Sequence, residues 1–276
     1  MVQTGAQPGV QTCLKEAALA AVQSPLPVIR NIDVSADDRL RTDLNLAMAV
    51  QRQILPRNSK QLTTIRYAGT STAAGWIGGD YYDFLDLGHS SLGFVLADVS
   101  GKGVAAALLM ANLQAAIRCE CTRGFHDLHT TLQNVNAHFF RSTLPAQYAT
   151  LFFGEYDDRT GRLDYINCGQ QPAILIRADR SIERLETTAL PLGMASGWTG
   201  EKKTVQLRSG DTLFVCSDGV IEAGLEDGYE FGEDGLISVI AQNRDEDVEL
   251  AVARIAEATR LYGPADDMTI VGMRAV

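Results

Sequence analysis

The chain is short of paired cysteines, of positive charge and of long apolar runs, and each shortage removes a class of protein. Its five cysteines, Cys13, Cys119, Cys121, Cys168 and Cys216, form no CxxC pair and have no histidine at zinc-finger spacing. Neither a disulfide scaffold nor a structural zinc site is indicated, and a reducing, cytoplasmic setting is expected. Lys and Arg number 24 against 34 Asp and Glu, a net charge of −10, which argues against nucleic acid as a partner because that binding rests on phosphate neutralisation by basic side chains. The most apolar long stretch, residues 104–117, contains Asn112 and Gln114 and is shorter than the ~20 residues a membrane span needs. Near the N-terminus Lys15 and Glu16 interrupt the apolar residues, unlike a secretory signal. A phosphate-binding loop of GxxxxGK[ST] spacing is also missing: Ser100-Gly101-Lys102-Gly103 reads better as a tight strand-to-helix turn. No repeat at solenoid spacing is visible.

What is present is enough for a large core. With 276 residues, 46% hydrophobic and 21% charged, the area scaling laws allow roughly 70% of the unfolded surface to be buried. Residues 1–35, rich in Ala, Gln, Pro and Val and broken by Pro25 and Pro27, read as a flexible leader. Residues 36–56 read as a linker helix: Leu40, Leu44, Met48 and Leu55 share a face and Pro56 stops it. That helix packs on its own domain or serves as a signal-transmitting or dimerising element. Residues 57–276 continue without a break in composition as a single domain. Strands are expected near 63–70, 77–87, 92–99, 148–156, 162–168, 173–177, 182–186, 204–207, 212–216 and 268–274, and helices near 104–121, 127–141, 233–242 and 246–260. Strands dominate the middle and helices come in pairs, which predicts an α+β protein of antiparallel sheets covered by helices rather than a βαβ repeat.

The acids carry the functional argument. A hairpin centred on His89 pairs residues whose numbers sum to 178, so Phe84 faces Phe94, Tyr82 faces Leu96 and Asp80 faces Asp98. Slipping the register by one breaks all three matches. Opposed residues lie ~4.5–5.5 Å apart at Cβ, where two like charges destabilise a sheet unless something compensates. A divalent cation is the natural compensation, and the strands between these acids are apolar on both faces, which places the pair at the end of a buried sheet. Asp218 follows the apolar strand 213–216, and Asp266 and Asp267 precede the strand beginning at Met268. Oxygen-only donors of this kind suit Mg²⁺ or Mn²⁺, and two such ions can clamp and activate a water for in-line attack on phosphorus.

The order GGDYYDF, ADVSGKGVAAALLMA, YATLFFGEYD, GDTLFVCSDGVIEA and DDMTIV resembles the bacterial PPM-type metal-dependent serine/threonine phosphatases of the RsbU/SpoIIE group, over residues 46–274. Val50-Gln51-Arg52-Gln53-Ile54-Leu55-Pro56 is similar to the segment with which that family's catalytic domain begins. The resemblance implies an αββα sandwich, two Mn²⁺ or Mg²⁺ ions, and hydrolysis of a protein phosphoserine or phosphothreonine by the activated water. By position it implies Asp80, Asp98, Asp218 and Asp266 as catalytic metal ligands, with the Val99 carbonyl beside Asp98. The substrate in this group is often a phosphorylated STAS-domain anti-sigma antagonist in a partner-switching pathway, and a homodimer through the linker helix is a further expectation.

Two departures from the family pattern stand out: Gly169-Gln170-Gln171-Pro172 where many relatives have Gly-His-x-Pro, and Cys216-Ser217 before Asp218 where Tyr-Thr is frequent. A silent pseudophosphatase that senses a ligand or partner is the alternative reading, disfavoured by the complete acid set. Hydrolysis of a small phosphorylated metabolite shares the chemistry with a different substrate. The histidines, His89, His126, His129 and His138, show no ligand pattern beyond an i, i+3 pair at 126 and 129 and are expected at surface or cap positions. No cysteine has the electropositive loop that a thiolate nucleophile needs.

Overall fold

The structure is a computed structural model and describes residues 36–56, 62–88, 90–122, 127–225, 228–244 and 246–276. The expected leader, His89 and His126 lie outside the described residues. The chain divides into two units, residues 1–41 and 42–276.

Helix α1 (Ala36–Ile54) precedes β1 (Ile65–Thr72), β2 (Tyr81–Gly88) and β3 (Ser91–Val99). Helices α2 (Gly103–Thr122) and α3 (Leu128–Ser142) follow, then β4 (Ala149–Asp157), β5 (Arg162–Cys168), β6 (Ala173–Ile176), β7 (Ile182–Leu185), β8 (Lys203–Gln206) and β9 (Thr212–Cys216). A single turn α4 (Asp218–Ile221), α5 (Gly232–Gln242), α6 (Val248–Arg260) and β10 (Met268–Ala275) complete the order. The strands form two five-stranded sheets, β1-β10-β9-β6-β7 and β2-β3-β4-β5-β8, with antiparallel pairing throughout.

The near-continuous apolar strands make sense once the layers are counted. Successive side chains on a strand point to opposite faces, and here both faces of both sheets are covered. On β3, Phe94 and Leu96 point between the sheets with Phe152, Leu213, Val215 and Val271. Val95, Ala97 and Val99 point the other way onto Met110, Leu113 and Ile117 of α2 and Leu132, Val135 and Phe139 of α3. On the far side, Phe214, Cys216 and Ile270 meet Leu236 and Ile240 of α5 and Val252 and Ile255 of α6. The result is an αββα sandwich with three apolar interfaces, where each fully buried large side chain contributes ~1.5–3 kcal/mol.

Helix α2 extends the expected 104–121 by one residue at each end and is longer than the apolar stretch 104–117. Its 20 residues suffice, by length and composition alone, to cross a membrane, yet its Met110, Leu113 and Ile117 are fully buried against the sheet, so it reads as a core helix. Helix α3 begins where Asp127 accepts a hydrogen bond from the Thr130 N–H (3.1 Å), an N-cap typically worth about 1 kcal/mol.

The β2–β3 register has Tyr82 opposite Leu96 and Phe84 opposite Phe94, and ends at Tyr81 opposite Ala97. Strand β2 therefore starts four residues later than the expected 77, and a bulge shifts the register at its far end, between Asp86 and Gly88. The β4 strand is bound along β3 on the other side, with Asp98 opposite Thr150 and Ser91 opposite Asp157.

Candidate carboxylate site

The segment 73–80 between β1 and β2 is held from two sides. The carboxylate of Asp267 accepts the Ala74 N–H (2.8 Å) on one oxygen and the Gly79 N–H (2.7 Å) on the other, with the Asp80 N–H at 3.5 Å. Gln51 on α1 reads both backbone groups of Gly78, donating to its carbonyl (2.7 Å) and accepting its N–H (3.1 Å). A Cβ on Gly78 would stand 2.0 Å from an Asp267 oxygen, so a larger residue there would push that carboxylate off its N–H donors. Past this anchor the Val99 N–H reaches the Gly79 carbonyl at 3.4 Å, which continues the β2–β3 pairing and sets Asp80 beside Asp98.

The second sheet delivers its acids through an equally tight approach. Ser217 makes two hydrogen bonds with the Thr269 backbone at the junction of β9 and β10: its N–H donates to the Thr269 carbonyl (2.9 Å) and its Oγ accepts the Thr269 N–H (2.9 Å). The same hydroxyl donates to the Asp267 carbonyl (3.1 Å). Serine at this position is thus an integral part of the strand junction. The chain then turns into α4, and Gly219 lies so close to Asp267 that a Cβ would sit 2.1 Å from its carbonyl oxygen. Asp218, Asp266 and Asp267 are brought together by that contact.

The electrostatics differ from acid to acid. Asp80 is buried, and its Oδ2 has no hydrogen-bond partner among the described residues. Burial, reinforced by the Asp98 charge, raises its carboxyl well above the usual range, against the opposing hydroxyls of Thr269 and Ser217. Asp98 is pushed up to about 7, first by burial and then by the charges of Asp218, Asp266 and Asp267. Asp218 is raised by burial and by Asp266, with the Gly219 N–H acting the other way. Asp266 receives the Asp267 N–H (2.9 Å) and pairs with the Lys102 ammonium (2.8 Å). Acids raised by burial and by neighbouring carboxylates recur at functional sites.

Asp80, Asp98, Asp218 and Asp266 therefore come together at one end of the two sheets, and Val99 lies beside them at the end of β3. Among the described residues, however, no three His, Cys, Asp or Glu side chains close into a metal cage as they stand. The donors fit a hard divalent cation in kind: all are carboxylate or carbonyl oxygens, and the buried Asp80 Oδ2 has a lone pair without a donor. A cleft of about 420 Å³, lined by Trp76, Lys102, Val104, Asp266 and Asp267 among others, opens beside them.

Sequence reasoning missed Asp267, Gln51 and Lys102. The resemblance points to Asp266 and not to Asp267, although a GG dipeptide near an acid-rich strand start signals close backbone approach. The acid Asp83, in the same GGDYYDF segment, has a different role. It is buried and satisfied by Arg118 (2.6 and 3.0 Å), the Tyr81 hydroxyl (2.6 Å) and the Phe84 N–H (2.9 Å), and so fastens β2 to α2. His129 lies against Trp198 (ring centroids 5.9 Å apart) and His138 near Asn112 (3.3 Å), both away from the acids.

Two antiparallel sheets between helix pairs, with acids gathered at one end, define the PP2C-type phosphatase fold. Among solved structures, the SiaA-PP2C domain of Pseudomonas aeruginosa is similar with a TM-score of 0.74 and 23% identity, over 87% of this chain and 98% of that one. The catalytic domain of the serine threonine protein phosphatase PstP, in complex with 2 manganese ions, is similar with a TM-score of 0.59 and 18% identity, over 77% and 99%. The family described as Stage II sporulation protein E (SpoIIE) matches residues 88–276, and the chain belongs to that family. The phosphoserine phosphatase RsbU of Bacillus subtilis (strain 168) is 27% identical over 191 residues, which is 69% of this chain and 56% of RsbU. The chain thus spans little more than half the length of that relative.

Proposed function

We propose that the chain is an active metal-dependent phosphoprotein phosphatase that hydrolyses phosphoserine or phosphothreonine. The observation that carries this reading is the group of mutually repelling acids, one with an orphaned buried oxygen, at the sheet ends of a SpoIIE-family domain. Asp80, Asp98, Asp218 and Asp266, with the Val99 carbonyl, would hold two Mn²⁺ or Mg²⁺ ions. Such ions supply Lewis acidity toward phosphoryl oxygen and make water a competent nucleophile near neutral pH. The chain's own residues do the positioning. Asp267 and Gln51 fix the loop that presents Asp80, and Ser217 fixes the strand junction that presents Asp218. Lys102, at the cleft, offers a cation where a dianionic phosphoseryl group would arrive.

The substrate on this reading is a phosphorylated protein, with a STAS-domain anti-sigma antagonist in a partner-switching pathway as the first candidate, and the setting is cytoplasmic. Residues 36–56 act as a regulatory linker helix to the phosphatase domain at 57–276, a reading supported by the contact of Gln51 with Gly78 two residues before Asp80. Dimerisation through that helix belongs to the same reading. A silent pseudophosphatase is disfavoured because no member of the acid set is replaced.

The test is phosphate release by the purified chain from phosphorylated STAS proteins in Mn²⁺, Mg²⁺ or chelator. Turnover with either metal and none in chelator is expected, with no phosphoenzyme trapped by acid quenching. Full activity after exhaustive chelation would overturn the reading.

A further inference from the structure

The acids of the site come from different sheets: Asp98 is the penultimate residue of β3 in one, and Asp218 follows β9 of the other. A cation held between them needs the two sheet ends kept at a set distance. The chain crosses from one sheet to the other at this end in the short segment between β5 and β6, and that segment contains Gln170.

Gln170 is 4% exposed, and its amide is used on both sides. Its Nε2 donates to the Cys216 carbonyl (3.2 Å), at the end of β9 and two residues before Asp218. Its Oε1 accepts a short hydrogen bond from the Thr150 hydroxyl, and Thr150 is the cross-strand partner of Asp98. The amide orientation is fixed by chemistry, because a carbonyl oxygen accepts only and must face the NH₂ group. The mount is rigid as well. The Gln170 N–H donates to Asn167 Oδ1 (2.8 Å), and Asn167, fully buried, donates from Nδ2 to the Leu185 carbonyl (3.2 Å) and accepts the Thr188 and Ala189 N–H groups on its own carbonyl.

We propose that Gln170 is a positioning residue that bridges the two sheets at their acidic end and sets the spacing of Asp98 from Asp218 for cation binding. The proposal rests on the dimetal reading above. It also accounts for the departure at this position: a neutral imidazole has one acceptor and one donor nitrogen, so histidine offers the same pair of functions as the glutamine amide. Partners of this kind, one step removed from the ligands, typically change metal affinity 10–100-fold when removed.

The experiment is a calorimetric Mn²⁺ titration of the full chain, wild type against Gln170→Leu, Thr150→Val and Gln170→His. It is accompanied by thermal unfolding in EDTA and by kcat and KM for phosphate release. Gln170→Leu is expected to bind Mn²⁺ 10-fold or more weakly and to lose kcat with KM for the phosphoprotein little changed. Thr150→Val should follow in the same direction by a smaller factor, and Gln170→His should stay within about threefold of wild type. A purely structural role would lower the melting temperature and leave the Mn²⁺ affinity of the folded protein as it was; that result in Gln170→Leu overturns the proposal. If Gln170→Leu does not fold, Thr150→Val decides on the same criterion. A wild-type chain that takes up no Mn²⁺ overturns the dimetal reading itself and this proposal with it.

Discussion

The two ends of the sandwich treat their buried and half-buried carboxylates in opposite ways. At the far end of β3 and β4, away from Asp98, Asp158 is buried and accepts four donors: the N–H groups of Thr63 (2.9 Å) and Thr64 (2.8 Å) and their hydroxyls (2.8 and 2.6 Å). Burial alone would raise its pKa, yet those hydrogen bonds hold it at about 2. Asp164 is likewise held at about 2, its burial outweighed by Arg162, Thr204 and Lys202. Asp211, at the start of β9, accepts from Arg177 (2.8 Å) and from the Ala178 and Arg208 N–H groups (3.0 Å each). At the other end of the same strands, Asp80, Asp98 and Asp218 are given few donors and are raised by burial and by neighbouring carboxylates. The supply of donors separates the two groups: Asp80 is as buried as Asp158 and Asp164, yet its Oδ2 has no hydrogen-bond partner among the described residues. One end meets its carboxylates with donors and cations, and at the other Lys102 is the described cation beside several acids, a shortfall that a divalent cation would match.

The comparison breaks most visibly by neutralising one acid at each end. Asp98→Asn is expected to lower phosphate release by about a thousandfold or more, and to leave melting in EDTA unchanged or raised, because it relieves repulsion. Asp80→Asn should do the same. Apo Asp98→Asn melting well below apo wild type would mean that the acidic end is not under repulsive strain. Asp158→Asn should do the reverse: it leaves backbone donors facing an NH₂ group, a loss of about 2–4 kcal/mol in stability. Its metal-saturated kcat should change little. Urea unfolding and turnover on the same preparations check both halves.

Much of this contrast was legible in the sequence, but unequally. Strands apolar on both faces called for helices outside two sheets, and the sum rule across the 84/94 and 82/96 pairs led to the neighbourhood of Asp80 and Asp98. Asp218 and Asp266 were readable from their places next to buried strands. The acceptor acids were not. Asp158 meets Thr63 and Thr64 from 95 and 94 residues away, and Asp267 meets Ala74 from 193. Such contacts exist only after the sheets form, and a carboxylate that collects backbone N–H groups has no local signature. The single turn α4 was missed because four residues are too few to show a helical period, and Gln170 because its two partners lie on different sheets.

The two classes of acid also predict how stability depends on pH. Asp158 and Asp164 titrate at about 2 when folded, below the ~3.9 of an unfolded aspartate. Their stabilisation is present above ~3.9 and is lost as pH falls toward 2. Asp98 titrates at about 7 when folded, so its contribution has the other sign: it is full below ~3.9 and disappears as pH rises through 7. In EDTA the melting temperature should therefore peak near pH 4–5 and decline toward 8. Mn²⁺ should raise it by an amount that grows over the same range, as the carboxylates ionise to receive the cation. Melting curves from pH 3 to 9, with and without Mn²⁺, measure both limbs. A flat EDTA profile between 4 and 8 would remove the distinction between the ends.

Lys102 should give the smallest effect, and it tests whether the positive charge missing from the acidic end is partly supplied by the chain itself. Its ammonium pairs with Asp266 (2.8 Å), but the side chains are 68% and 41% exposed, so solvent screening limits the pair to under ~1 kcal/mol. Lys102→Met should accordingly shift melting in EDTA by no more than a degree or two, downward, because the acids lose a compensating cation. The same loss frees an Asp266 oxygen for the metal, so Mn²⁺ affinity should rise severalfold, while KM for the phosphoprotein rises because a cation at the cleft is gone. A Mn²⁺ titration and a substrate series on one variant separate these effects. Weaker Mn²⁺ binding in Lys102→Met would mean that the lysine orients Asp266 for the cation instead of competing with it.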